Sequence, residues 1–174
     1  AIARRMDQVV LDALAAASSP GTVGNDIGGT DSNLNIEKLR EAKKIMDQKN
    51  VPSEGRTMLI HANSLSALLG ETEVTSADFA SVKALVTGDV DTFMGFKFIT
   101  FGDRDEGGLA VDGSSDRTLF AFHRDAVGLG IGMNETSRVD YIPEKTSFLV
   151  ASMFSAGAVA IDDEGIIKLT CREA

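Results

Sequence analysis

Near Phe93 the spacing of apolar residues changes, and that change limits what the chain can fold into. Before it, apolar residues recur every three or four positions, as on one face of a helix. After it, they recur every second position, as on one face of a strand. Val127, Leu129, Ile131 and Met133 alternate with Gly128, Gly130 and Gly132, so one face of that strand carries no side chains. Helices early and mostly antiparallel strands late predict an α+β fold rather than alternating βαβ units.

The helical part reads in four pieces. In residues 1–17, Ile2, Met6, Val9, Val10, Ala13 and Leu14 form one stripe, with Arg4, Arg5, Asp7, Gln8 and Asp12 opposite. The stripe starts without an N-cap, as expected of a cut inside a longer helix. Residues 18–34 are rich in Gly, Ser and Asp and predict a long connector. Residues 36–49 predict a second helix, capped by Asn35, stapled by Leu34 against Leu39, and ended by Val51-Pro52. Glu37 near its start and Lys43, Lys44 and Lys49 near its end suit the helix dipole. A short strand at 57–60 leads into a helix over 62–69 stopped by Gly70. Thr75 to Asp78 resembles a capping box and predicts a further helix through Val86.

In the later part, strands are predicted at 96–101, 118–123, 127–133, 147–154, 158–161 and 166–171. A Gly/Asp/Ser loop fills 102–116, and Asp162 to Gly165 make a turn. The glycine face of 127–133 is expected to admit a close backbone neighbour. Gly130→Val is then expected to destabilise the protein.

Composition and motifs exclude more than they select. The 174 residues suffice for one or two domains of about 100–150 residues with a buried core. No run reaches the ~18 apolar residues of a membrane span. Seventeen basic against 26 acidic residues give a net charge of −9, which argues against gripping nucleic acid by charge. Cys171 is the only cysteine, so no internal disulfide forms. One thiol and no secretory signal suit a reducing interior, where the sequon at Asn134 would be idle. Two histidines and one cysteine cannot supply a zinc-finger spacing.

His123-Arg124-Asp125 imitates a kinase catalytic loop, but Gly130 stands where the metal-binding Asn belongs. Gly128 to Gly132 imitates a dinucleotide loop, but Met133 occupies the third glycine position. Gly55-Arg56 lacks the Lys-Ser/Thr of a phosphate loop. A calcium loop from Asp103 would put Ser114 in place of the bidentate Glu. That cluster and Asp162 to Glu164 read as solvated turns. Cys171 sits in an alternating strand without activating neighbours in sequence. His61 follows a strand and reads as a cap or packing residue. No catalytic, cofactor-binding or metal-ligating residue is singled out, and no cofactor is expected.

The order of these segments resembles the C-terminal half of a tailed-bacteriophage major capsid protein, a fold shared with encapsulin shells. Ile2 to Leu14, with Met6-Asp7-Gln8, is similar to the end of the family's spine helix. Asn50-Val51-Pro52-Ser53-Glu54-Gly55-Arg56 and Met58-Leu59-Ile60 are similar to its helix-to-strand passage. Asp78-Phe79, Val82 to Val86 and Gly88 precede Thr92-Phe93-Met94-Gly95-Phe96, a stretch typical of these coats. Ala121 to Leu129 resembles its strand pair, and Ala156 to Val159 with Gly165-Ile166-Ile167 its closing hairpin.

The resemblance implies a capsid-type fold with axial and peripheral domains, lacking the N-terminal arm and extended loop. Residues 1–18 would end the spine helix of the peripheral domain. Residues 19–125 would form the axial domain, 126–165 the peripheral strands, and 166–174 a returning strand. It implies a structural protein without enzymatic activity, made in the bacterial host cytoplasm and residing in the virion. Its partners would be copies of itself in pentamers and hexamers, with a scaffolding protein as a further partner. The shell would enclose phage or prophage double-stranded DNA without sequence-specific binding and without a membrane. An encapsulin-like compartment holding a cargo protein is the nearest rival. A small cytosolic enzyme with a site in the 102–116 loop beside His123 is a third.

Overall fold

A computed structural model describes residues 2–70, 92–103, 106–109 and 111–173. The helix α1 (Ile2–Ala15) opens the chain. After it come β1 (Gly21–Val23), α2 (Ile36–Gln48), β2 (Arg56–His61) and α3 (Ala62–Gly70). Then follow β3 (Thr92–Phe93), β4 (Phe96–Phe101), β5 (Asp116–His123), β6 (Val127–Ile142), β7 (Ser147–Ala160) and β8 (Ile166–Arg172). The helix expected from Thr75 through Val86 lies outside the described residues.

Two sheets result. Six strands form one sheet in the order β1-β8-β5-β2-β4-β3. Within it, β1 runs parallel to β8 and β2 parallel to β4, while β2–β5, β5–β8 and β3–β4 are antiparallel. The second sheet is the β6–β7 ribbon alone. Strand β2 is buried almost throughout, as a central strand covered on both faces must be. Leu34, Leu39, Met46, Met58, Ile60, Leu68, Phe96, Leu119 and Ile166 are fully enclosed in the core of this body.

Helix α2 is set by its ends. The Asn35 side chain accepts from the Lys38 backbone N–H at 2.8 Å, and Leu34 and Leu39 are both buried. Its stop differs from the expectation. Asn50 takes a left-handed φ of 57°. Its N–H donates to Asp47 O at 3.1 Å, and the Val51 N–H to Met46 O at 3.0 Å. This is a Schellman closure, so the helix ends before Pro52 is reached. Helix α1 finishes against Lys168, whose Nζ donates to Ala15 O at 2.8 Å.

Three further differences concern strands. The connector 18–34 contains β1, which escapes periodicity because three residues are too few to show one. The predicted strands at 147–154 and 158–161 are one strand, β7, running through Gly157. A glycine weakens a strand without ending it. The predicted 127–133 strand continues to Ile142, past register shifts between Ile131 and Met133 and between Met133 and Thr136. Those β-bulges break the period of two, and the alternation resumes beyond them.

Candidate assembly surface

The feature that separates this chain from an ordinary soluble domain is the β6–β7 ribbon. At ~3.3 Å per residue its 14–16-residue strands reach about 50 Å. Helix α1 packs on the ribbon, and its 14 residues cover only about 21 Å. Phe154, Ala156, Ala158 and Ala160 are partly buried, while Ser155, Gly157 and Val159 between them are exposed. That alternation marks the face under α1. The same face continues through Val150 and Phe148, paired with Val139 and Tyr141.

Beyond the helix this face has no cover among the described residues. Phe148 is 71% exposed, Val150 68% and Val139 64%. Tyr141 and Phe148 hold their ring centroids 5.2 Å apart. Among the described residues, every exposed large apolar side chain except Ile99, Val111 and Ile161 lies on β6 or β7. Neighbouring exposed apolar side chains such as Val139, Tyr141, Phe148 and Val150 mark an interaction site. An isolated two-stranded ribbon is at best marginally stable in water, so it gains from a partner.

The bare glycine face is not what was expected. A Cβ at Gly130 would meet only Gly157 O, at an ordinary 3.7 Å. Apart from that carbonyl of its β7 partner, no atom lies within 4 Å of such a Cβ among the described residues. Gly130 pairs with Gly157 inside the ribbon, which leaves an open patch on the face away from α1. The clash predicted for Gly130→Val therefore finds no partner atom among the described residues.

The motif residues are placed as struts of the six-stranded body. His123 ends β5, and its Nε2 donates to Glu54 O at 2.8 Å while its Nδ1 accepts from the Asp125 N–H at 3.3 Å. Arg124 to Ala126 form one 3₁₀ turn into β6. His123 thus braces the 52–56 strap and does not face the 102–116 loop. His61 is the histidine beside that loop. It lies buried, with ring nitrogens 3.5 Å from the Asp103 and 3.3 Å from the Glu173 carboxylate. Of the second acidic cluster, Asp162 caps the Glu164 N–H, Asp163 accepts from the Ser19 N–H, and Glu164 pairs with Lys49 at 2.8 Å.

Arg117 is the centre of the largest polar group and nothing in its sequence context announces it. It is buried, with Nε 2.6 Å from Glu173 and Nη1 2.6 Å from Asp103, and it also donates to Leu109 O. The guanidinium holds both carboxyls below their ordinary range. Arg172 does the same to Asp116, at 2.6 Å. Lys38 is buried, and its Nζ donates to Ser32 O at 2.6 Å and Thr170 O at 3.0 Å. Burial pulls its pKa down and pushes the Cys171 thiol up to about 11. A thiol held neutral is a poor nucleophile. These groups tie chain segments together, and Arg172 and Glu173 also line an open surface cavity with Asp31, Asn33 and Asn63.

No large apolar side chain of the ribbon was singled out from sequence as an interface residue. The available signal was the alternation of Val139 and Tyr141 with Arg138 and Asp140, hidden behind the bulges.

Comparison with known proteins follows the same direction. No curated protein matches the sequence. Among solved structures, the chain is similar to one from Mycobacterium phage Che8, with a TM-score of 0.72 and 17% identity over 97% of this chain and 58% of that one. The acid-stable capsid of Helicobacter pylori bacteriophage KHP30 gives a TM-score of 0.72 and 10% identity, over 98% and 66%. The encapsulin complex of Synechococcus elongatus gives 0.61 and 13%, over 97% and 60%. The chain thus spans 58–66% of the length of these three chains. At such identities the likeness is one of fold, an α+β capsid fold. Family assignment comes from the sequence itself: residues 1–173 match the phage capsid protein family, and the chain belongs to it.

Proposed function

We propose that this chain is the shell-forming body of a major capsid protein, working by tiling with copies of itself and not by catalysis. Copies in pentamers and hexamers would close an icosahedral shell around phage or prophage double-stranded DNA. The supporting observation is the apolar β6–β7 ribbon, which α1 covers over only part of its length. Many modest, repeated contacts suffice for a closed shell, because closure multiplies them.

The packing supports this division into domains as part of the proposal. Residues 1–18 and 126–165 form the peripheral domain, because α1 packs on the ribbon. Residues 19–125 form the axial domain, and the returning strand 166–174 joins it by inserting β8 between β1 and β5. A net charge of −9 suits a wall that contains DNA without binding its sequence. Synthesis in the host cytoplasm and a scaffolding partner complete the reading.

An encapsulin-like compartment is the second reading, favoured by the fold match to an encapsulin complex. Electron microscopy of the complete coat protein, with analysis of the particle contents, tests both. Closed shells filled with DNA are expected. Shells holding a protein cargo would favour the second reading, and soluble subunits under every assembly condition would contradict both.

A further inference from the structure

The end of β2 holds a polar group that tiling does not use. His61 is buried between two carboxylates, Asp103 after β4 and Glu173 after β8, and Arg117 of β5 bonds to both of them. The same ring starts α3. Its Nδ1 accepts the Asn63 N–H at 3.3 Å, one of the donors that a helix N-terminus leaves open. A ring nitrogen that accepts carries no proton, so this hydrogen bond assigns the Nε2–H tautomer, with the proton toward Asp103 Oδ1 at 3.5 Å. Glu173 Oε1 then lies 3.3 Å from the bare Nδ1, lone pair against lone pair. One nitrogen thus faces both a donor and an anion, and a single proton decides which of them it holds.

We propose that His61 is a proton-operated switch between two holds. Uncharged, it caps α3. Protonated at Nδ1 by a proton from solvent, it releases the Asn63 N–H and donates to Glu173 instead. The charges about the ring favour the second state once a proton is available. One guanidinium, Arg117, against two carboxylates, Asp103 and Glu173, leaves one negative charge, which an imidazolium cancels. Both carboxyls are held below their ordinary range, so they are still anions in the range where an imidazole takes up a proton. The Asn63 side-chain amide donates to Glu173 Oε2 at 3.1 Å, so the helix start loosens at its backbone while its side chain stays tethered. His123 caps the 124–126 turn in the same way but lacks the choice. Its Nε2 is committed to Glu54 O, and the carboxylate beside its Nδ1 is that of exposed Asp125, 3.7 Å away. Because one contact replaces another at His61, the global melt moves little and the change is local.

Hydrogen exchange of free subunits of the complete coat protein, at pH 8 and pH 5 and corrected for the intrinsic pH dependence of amide exchange, reads the switch at residues 62–66. Protection there is expected to fall about fivefold from pH 8 to pH 5, the size of a lost N-cap. His61→Asn keeps a capping oxygen and takes up no proton, so its protection is expected to be equal at the two pH values. The imidazole 15N shifts of the wild-type chain report the tautomer independently and are expected to show Nδ1 bare at pH 8 and protonated at pH 5. Equal wild-type protection at both pH values, an equal fall in His61→Asn, or an Nδ1–H ring at pH 8 overturns the switch. If His61→Asn fails to fold, wild-type exchange and the 15N shifts still decide. Each readout is made on free subunits, so its failure leaves the tiling reading intact.

Discussion

At the scale of single residues, the six-stranded body is held by buried cations that neutralise chain ends and loops. Arg117 joins β5 to Asp103 after β4 and to Glu173 after β8. Arg117→Met removes the shared charge, leaves Glu173 with the Asn63 amide but no guanidinium, and takes the side-chain donor from the Leu109 carbonyl. A loss of about 3 kcal/mol is expected in urea unfolding; a loss below about 0.5 kcal/mol would show that the cluster is ornamental to stability. The same contacts set an acid limit. Asp103, Asp116 and Glu173 have folded-state pKa values below their unfolded ones. Their stabilisation is therefore complete above about pH 5, beyond the unfolded carboxyl values, and fades as pH falls through the lowered values. Asp103 is largely exposed, so its share is small. The melting temperature should hold from pH 7 to pH 5 and fall below pH 4, and a flat profile down to pH 2.5 would refute this.

At the scale of elements, glycines separate positions that need the residue from positions that only tolerate it. Gly107 has a φ of 67°, and a Cβ there would lie 2.9 Å from the Arg4 carbonyl of α1. Its N–H also donates to Gln8 Oε1 at 2.9 Å. Gly107→Ala is expected to cost about 1–3 kcal/mol by pushing the loop off the helix. Gly130→Val, in contrast, should change the melt of the isolated subunit little, since among the described residues a Cβ there meets only Gly157 O at an ordinary 3.7 Å and valine favours strands. The pair of melts checks both, and a larger loss at 130 than at 107 would reverse the assignment.

Helices α1, α2 and α3 were legible in the sequence because local signals decide them: Asn35 and Leu34 announce α2 within five residues. Strand β1 was not, because only its parallel neighbour β8, far along the chain, makes it a strand. The length of β6 was not, because bulges at 131–136 interrupt the period that reveals strands. The Arg117 cluster was not, because it joins residues from 103 to 173 that share no local pattern. The surface role of the ribbon was half visible. Alternation announced a strand with one apolar face, but only the position of α1 shows how much of that face remains open.

At the scale of the whole molecule, the fold places a covered six-stranded body beside a ribbon that residues 2–15 cover over part of its length. A solitary soluble domain has little use for such a surface, whereas a shell subunit hides it against its neighbours. The central claim is that copies of the chain cover the β6–β7 ribbon on assembly. Hydrogen exchange of the complete coat protein, compared between free subunits and assembled particles, measures that cover most directly. The account predicts slowed exchange of amides across residues 136–153 in particles, with the body around β2 and β5 little changed. Exchange at 136–153 as fast in particles as in free subunits would contradict it.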